Sequence, residues 1–240
     1  MTALVDVTGV TKRFGSLLAV DNVSFSIAHG ELVGFLGPNG SGKTTILNIM
    51  SGQLKPDAGS IALDGVAVAG RSADAIARAG MIRMFQLTRV FPNMTVFENL
   101  MTAGFAVGLD RKSALLRADE LLADMTLDGH RDEFASDLSG GQQKLLEFAS
   151  CFMRTPKIAL LDEPFAAIHP TMRQTLADYI RRTNAAGQAY IIVSHDMPIV
   201  IDLCRRTICL AAGSVLADGP TERVLREPAV IEAYLGPNHA

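Results

Sequence analysis

Leu32-Val33-Gly34-Phe35-Leu36-Gly37-Pro38-Asn39-Gly40-Ser41-Gly42-Lys43-Thr44-Thr45 decides the fold of this chain. Its first five residues are an unbroken apolar run, the texture of a strand buried on both faces. Gly37 through Thr44 then match the spacing Gly-x-x-x-x-Gly-Lys-Ser/Thr and lead into a helical pattern over Thr44–Met50. A glycine-rich turn ahead of an ordinary helix is the bland reading; the strand before the loop and the helix after it weigh against it. The stretch Gly37, Pro38, Asn39, Gly40, Ser41, Gly42, Lys43, Thr44 and Thr45 is therefore read as a phosphate loop. Backbone N–H groups from Gly40 to Thr45 can converge on a β-phosphate at the helix N-terminus. Lys43 can neutralise β- and γ-oxygens, and the Thr44 hydroxyl can ligate Mg²⁺.

Outward from the loop, Leu18–Ile27 alternates, with Val20, Val23, Phe25 and Ile27 pointing largely one way, and Gly30 separates it from the next strand. Gly59–Leu63, ending at Asp64-Gly65, reads as a hairpin strand, and Met81–Phe85 as a further strand. From Asn93 to Arg154 the texture turns helical: Leu115, Ala118, Leu122 and Met125 follow helical spacing, and Gln143–Met153 continues as helix. After Pro156 come the strand Ile158–Leu161, a helix over Thr171–Ala186, and the strands Tyr190–Val193 and Thr207–Leu210. Strands alternating with helices predict a parallel sheet covered on both faces. With no internal repeat, charge block or flexible linker, the helical stretch reads as a subdomain of one unit.

Composition narrows the function. The 240 residues are 48% hydrophobic, 20% charged and 6% aromatic without Trp, which excludes disordered and low-complexity classes. A formal net charge of −3 leaves no basic footprint for a nucleic-acid duplex, so none is expected as a partner. Cys151, Cys204 and Cys209 form no CxxC pair, so a reducing compartment is expected. No window reaches the roughly 18 consecutive apolar residues of a membrane span, and Met1–Gly15 carries no cationic stretch followed by an apolar run. The mean hydropathy of +0.24 reflects an Ala- and Leu-rich core or surface reserved for a partner.

The strand Ile158-Ala159-Leu160-Leu161 delivers Asp162 and Glu163 side by side at its C-terminal end, which in a parallel sheet faces the ligand crevice. Asp162 there can hold Mg²⁺ through water, and Glu163 can polarise an attacking water as general base. Leu138-Ser139-Gly140-Gly141-Gln142 opens a helix with its positive end exposed, a second anion nest; alone it means little more than an N-cap.

Together these motifs resemble the ATP-binding subunits of ABC transporters over essentially the whole chain. The resemblance implies an α/β P-loop NTPase core with a mainly parallel sheet, an antiparallel β subdomain and an inserted helical subdomain. The core subdomain would span 1–86 and 155–240, and the helical subdomain 87–154. It implies further site residues: Gln86 touching Mg²⁺ and the attacking water, His195 contacting the γ-phosphate, and Phe14 stacking on adenine. A phenylalanine in a turn is also commonly a core plug, and a His after a strand is often only a polar end. Ser139, Gly140, Gly141 and Gln142 would contact ATP bound by a second subunit, a copy of this chain or a paralogue. One position departs from the pattern: His169 in Phe165-Ala-Ala-Ile-His-Pro170 stands where an aspartate usually reaches across the dimer.

Phe85–Leu100 and the tail Pro228–Gly236 are similar to the ATPases of branched-chain amino acid importers. They also resemble the ATPase of lipopolysaccharide export, and a soluble ABC ATPase of iron–sulfur assembly shares the same motifs. The importer reading implies two integral membrane permease subunits, a solute-binding protein, and a place on the cytoplasmic face of the inner membrane. In it, Leu87–Leu100, with Val90, Phe91, Val96 and Phe97 close together, forms the permease docking groove, although apolar side chains in a loop are often only local core. Read blandly, the tail is an amphipathic helix packing on the core through Val230, Ile231, Tyr234 and Leu235.

Overall fold

The computed structural model describes residues 3–85 and 88–235. In chain order the elements are β1 (Ala3–Phe14), β2 (Leu17–Ala28), β3 (Leu32–Leu36), α1 (Lys43–Met50), β4 (Ala58–Leu63), β5 (Val66–Ala67), α2 (Ala73–Ala79), β6 (Met81–Met84), α3 (Val96–Ala106), α4 (Arg111–Asp124) and α5 (Gly140–Cys151). There follow β7 (Ile158–Asp162), α6 (Pro170–Ala185), β8 (Ala189–Val193), α7 (Met197–Leu203), β9 (Arg206–Ala211), β10 (Ser214–Pro220), α8 (Thr221–Val224) and α9 (Pro228–Leu235). The strands form two sheets: a central one ordered β10-β9-β3-β8-β7-β6, parallel except for β10, and an antiparallel one ordered β2-β1-β4-β5.

The apolar runs of β3, β7 and β8 are continuous because both faces of the central sheet are covered. Val33, Phe35, Leu160, Ile191 and Ile208 face α1 and the antiparallel sheet. Leu36, Leu161, Tyr190 and Ile192 face the helices. Gly34 lies at the close approach of α7: a Cβ there would meet Val200 Cγ1 and Thr207 Oγ1, each at 2.9 Å. In β2 the step from Val20 to Val23 breaks strict alternation. A bulge absorbs it, with two residues facing Thr11 alone and Asn22 at φ 50°.

The inserted helices are stopped and started by their caps. Thr95 with Glu98 and Ser139 with Gln142 form capping boxes at α3 and α5, and Asp110 caps α4. The spacing read for α4 needs correction: Ala114, Ala118, Leu121 and Leu122 are its buried residues, while Leu115 is exposed. The buried stripe lies one position from Leu115, a shift that composition alone does not reveal. Helix α5 is joined to the sheet by an aromatic cluster in which Phe148, Phe152 and Tyr179 rings lie 4.6–5.3 Å apart and Tyr190 lies 6.1 Å from Phe152.

Three further elements carry no clear sequence signal of their own. Strand β1 has its alternation interrupted at Gly9, which takes φ 61°. Helices α2 and α7 are only seven residues each, too short for periodicity to declare them. The tail is helical as expected, with Val230 buried, but Ile231 is exposed rather than packed on the core.

The register sets the site. Phe35, Asp162 and Val193 are neighbours across β3, β7 and β8, so the segments leaving these strands emerge together along one edge. They carry Gly37, Glu163 and His195.

Candidate nucleotide-binding site

At that edge a cavity of about 540 Å³ is bordered by Phe14, Asn39, Gly40, Ser41, Gly42, Lys43, Thr44, Thr45, Asp162, Glu163 and His195. A smaller one of about 370 Å³ adjoins it and shares Thr44 and Asp162, adding Asn48 and Arg83. Most residues singled out along the sequence thus meet in one place. Gly37 and Pro38 support the loop from behind. Gln86 lies outside the described residues. Ser139–Gln142 stands at the N-terminus of α5 and borders neither cavity within one chain.

The loop takes a conformation that demands glycine. Gly42 caps α1 at φ 102°, and a Cβ there would lie 2.6 Å from the Ala19 carbonyl. Lys43 is buried, its Nζ donating to Gly37 O at 2.6 Å and Pro38 O at 3.0 Å. Burial pulls its pKa down, opposed by the charges of Glu163 and Asp162. The ammonium group thus rests on carbonyls of its own loop, with donors ready for phosphate oxygens.

Glu163 leaves β7 at φ 54°, its N–H donating to Val193 O at 2.9 Å and its carbonyl accepting from Lys144 Nζ at 2.7 Å. Lys144 also donates to Ala166 O at 3.0 Å, so the helix after Ser139–Gln142 grips the turn that carries the acid pair. The Glu163 carboxyl is pushed above the usual carboxylate range by burial, opposed chiefly by His195. His195 Nε2 approaches Glu163 Oε1 to 3.4 Å, but Oε1 accepts no hydrogen bond among the described residues. A buried oxygen facing a water-sized space is suited to hold a water and take its proton.

Asp162 is buried and accepts from Arg83 NH2 at 2.8 Å; Arg83 also donates to Asn48 Oδ1. The sequence motifs point to neither Arg83 nor Asn48. The available signal is a charge in the centre of the otherwise apolar strand Met81-Ile82-Arg83-Met84, since a buried charge needs a partner. Phe14 is half exposed and borders the cavity, so it is not a core plug. His169 caps α6, its Nδ1 2.9 Å from Thr171 Oγ1. Arg173 joins this region to the His195 turn by donating to Ile168 O at 3.2 Å and Asp196 Oδ2 at 2.7 Å.

Glu147, on α5, is a third buried acid, and its Oε2 has no hydrogen-bond partner among the described residues. Burial pushes its pKa from 4.5 up to about 7, against the opposing pull of the nearby backbone at Arg89 and Phe85 and of the Lys144 charge. The folded chain therefore holds this proton to higher pH than the unfolded chain. The resulting stability is present in full below pH 4.5 and is lost as pH rises through about 7. Glu147→Gln should remove that loss, so thermal unfolding should show the variant gaining on the order of 2 kcal/mol over wild type between pH 5 and pH 8. Parallel pH profiles for the two proteins would refute this.

A cradle of loop amides, a buried lysine, and an acid pair with a histidine at one sheet edge define a nucleotide-hydrolysing P-loop protein. Residues 20–166 match the family model described as ABC transporter, and residues 214–236 match one described as branched-chain amino acid ATP-binding cassette transporter. The chain belongs to the ABC transporter family and is one of its ATPases. It is 35% identical to the high-affinity branched-chain amino acid transport ATP-binding protein BraF of Pseudomonas aeruginosa, covering 97% of this chain and 98% of the relative. It is 37% identical to the protein LivG of the same description from Escherichia coli, with the same coverage. Among solved structures, a nucleotide-free ATP-binding cassette from an ABC transporter superposes with a TM-score of 0.88 at 28% identity, over 98% of this chain and 100% of that one. A cassette in its ADP conformation gives 0.87 at 28% identity, with the same coverage. The ABC ATPase fold expected from the sequence is the fold observed.

Proposed function

We propose that this chain is the ATP-hydrolysing subunit of an importer that carries branched-chain amino acids or related polar solutes across the cytoplasmic membrane. The observation that carries the reading is similarity to importer ATPases along the whole chain, including the C-terminal segment 214–236. The model that matches that segment carries the same branched-chain amino acid description as the whole-chain relatives, and this agreement favours the importer over the export and iron–sulfur assembly readings.

In this reading ATP lies with its adenine on Phe14 and its phosphates on the amides of Gly40 to Thr45, with Lys43 and His195 on the γ-phosphate. Thr44 and Gln86 would hold Mg²⁺ directly and Asp162 would hold it through water; Thr44 is exposed, and Thr44 and Asp162 border the same two cavities. When bound, Mg²⁺ neutralises charge on the phosphate oxygens. Glu163 takes a proton from the water that attacks the γ-phosphorus as the bond to the ADP oxygen breaks. Ser139–Gln142, which does not border the cavity of its own chain, completes in this reading the site of a second ATPase subunit, copy or paralogue. The core subdomain, 1–86 and 155–240, carries the catalytic residues, and the helical subdomain, 87–154, carries Ser139–Gln142 and the permease contact.

No helix among the described residues is long and apolar enough to cross a membrane. We place the chain on the cytoplasmic face, held there by two membrane permease subunits, with a solute-binding protein delivering cargo on the other side. The permease contact would be built around Phe91, which is 55% exposed although its backbone is pinned. The buried Asn99 side chain accepts from Phe91 N at 2.7 Å and donates to Phe91 O at 3.0 Å. Val96 of the expected groove is buried core instead. Purification from native membranes with mass spectrometry of co-eluting subunits tests the reading; recovery with soluble scaffold proteins would overturn it. Phe91→Glu should cut permease recovery about tenfold with nucleotide binding retained, as loss of an aromatic anchor does. Undiminished recovery would remove Phe91 from the interface.

A further inference from the structure

The first residue of the phosphate loop is tied to α9, the last helix among the described residues. Gly37 N–H donates to the Tyr234 hydroxyl at 2.7 Å. Tyr234 sits on α9 and packs against Cys209, Ala217, Val224 and Val230. Cys209 is the β9 neighbour of Leu36, the last residue of β3, so the phenol reaches the loop where it leaves the sheet. Burial raises the phenol pKa above its ordinary value, so the group that Gly37 meets is a neutral hydroxyl.

Gly37 has no room for a side chain. Its φ is 146°, and a Cβ there would lie 2.2 Å from Leu210 O and 2.5 Å from Ser41 Oγ. Its carbonyl, on the other side, accepts from Lys43 Nζ at 2.6 Å. One buried residue thus connects the α9 hydroxyl to the ammonium group of Lys43, while the β9 backbone and the Ser41 side chain occupy the space that a side chain would need. If the hydroxyl is removed, a buried N–H is left without its acceptor, and such a group moves toward water rather than remain unpaired. Any such shift displaces the Gly37 carbonyl and, with it, the resting place of Lys43.

We infer that Tyr234 is a positioning residue for the phosphate loop, its hydroxyl holding Gly37 so that the loop amides are already arranged when nucleotide arrives. The inference rests on the reading that residues 37–45 hold the phosphates. Tyr234 touches no reacting atom, so its contribution falls on binding: a preorganised loop loses less freedom when the ligand docks.

The test is Tyr234→Phe in the full chain, which keeps the ring and its packing and removes only the oxygen. Titration with a fluorescent N-methylanthraniloyl ATP should show about tenfold weaker binding, the scale expected when one buried hydrogen-bond partner is lost. In turnover assays KM should rise by a similar factor while kcat stays within about twofold. Val230→Ala is the companion variant: it loosens the same helix through a small cavity but leaves the hydroxyl, so it should lower the unfolding temperature with nucleotide affinity retained. Unchanged affinity in Tyr234→Phe would overturn the proposal. So would equal weakening in Val230→Ala, which would make the role one of helix packing alone. Wild-type protein that fails to bind the probe, or Lys43→Ala that binds it as wild type does, would instead strike at the phosphate-loop reading itself.

Discussion

Glu163→Gln is expected to bind Mg²⁺-ATP, to cleave it about 10²- to 10⁴-fold more slowly than wild type, and to elute as a dimer in its presence. The substitution keeps the side chain's size and hydrogen-bonding reach and removes its capacity to take a proton. The surroundings of Glu163 suit the base proposed for it. Lys144 and the Val193 carbonyl hold the backbone of residue 163, so the carboxyl is presented rather than left to wander. Burial raises its proton affinity toward the range where a general base works best near neutral pH, and Oε1 has no donor among the described residues. Uncleaved ATP should then bridge the phosphate loop of one chain to Ser139 and the Gly141 amide of the other, stabilising the pair by mass action. ADP should not support that dimer. Ser139→Arg in the same background should return a monomer, because a long cation would displace the capping box from the γ-phosphate. Wild-type turnover by Glu163→Gln removes its role as base, and a monomer in saturating ATP removes the sandwich.

Lys43→Ala should be inactive by any steady-state assay, a loss of at least about 10²-fold. The wild-type ammonium group has been brought in from water and lodged on Gly37 O, Pro38 O and, at 3.4 Å, Ser41 Oγ. Those contacts are neutral. Exchanging them for charged phosphate oxygens strengthens each bond, and the exchange is largest where charge accumulates during transfer. The alanine variant loses that gain and leaves two loop carbonyls without a donor. Circular dichroism should show an intact fold, since the lysine is not part of either hydrophobic core. A folded variant that hydrolyses ATP at the wild-type rate would contradict the assignment.

Much of this site is legible in the amino-acid sequence, for a chemical reason. Phosphate needs several amides and a cation within a few ångströms, and a loop at a helix N-terminus supplies them from consecutive residues, so Gly37–Thr45 is a local word. Asp162 and Glu163 are legible because an apolar strand ending in two acids is likewise local. His195 and Phe14 follow only by resemblance; each is a common residue after a strand or in a turn.

Only the tertiary structure decided which distant groups meet. Arg83 finds Asp162 because β6 and β7 are neighbours in the sheet, although 79 residues and a helical insertion separate the pair in the chain. Tyr234 finds Gly37 across 197 residues because α9 packs beside β9. Lys144 reaches the Glu163 turn because α5 lies over the sheet edge. Hydrophobic period reports whether a residue is buried, not which strand lies beside it; that depends on the order in which strands pair, and pairing is settled by packing of the whole core. The sequence by itself therefore determined the chemistry at each strand end, and the strand order determined which supports that chemistry would have.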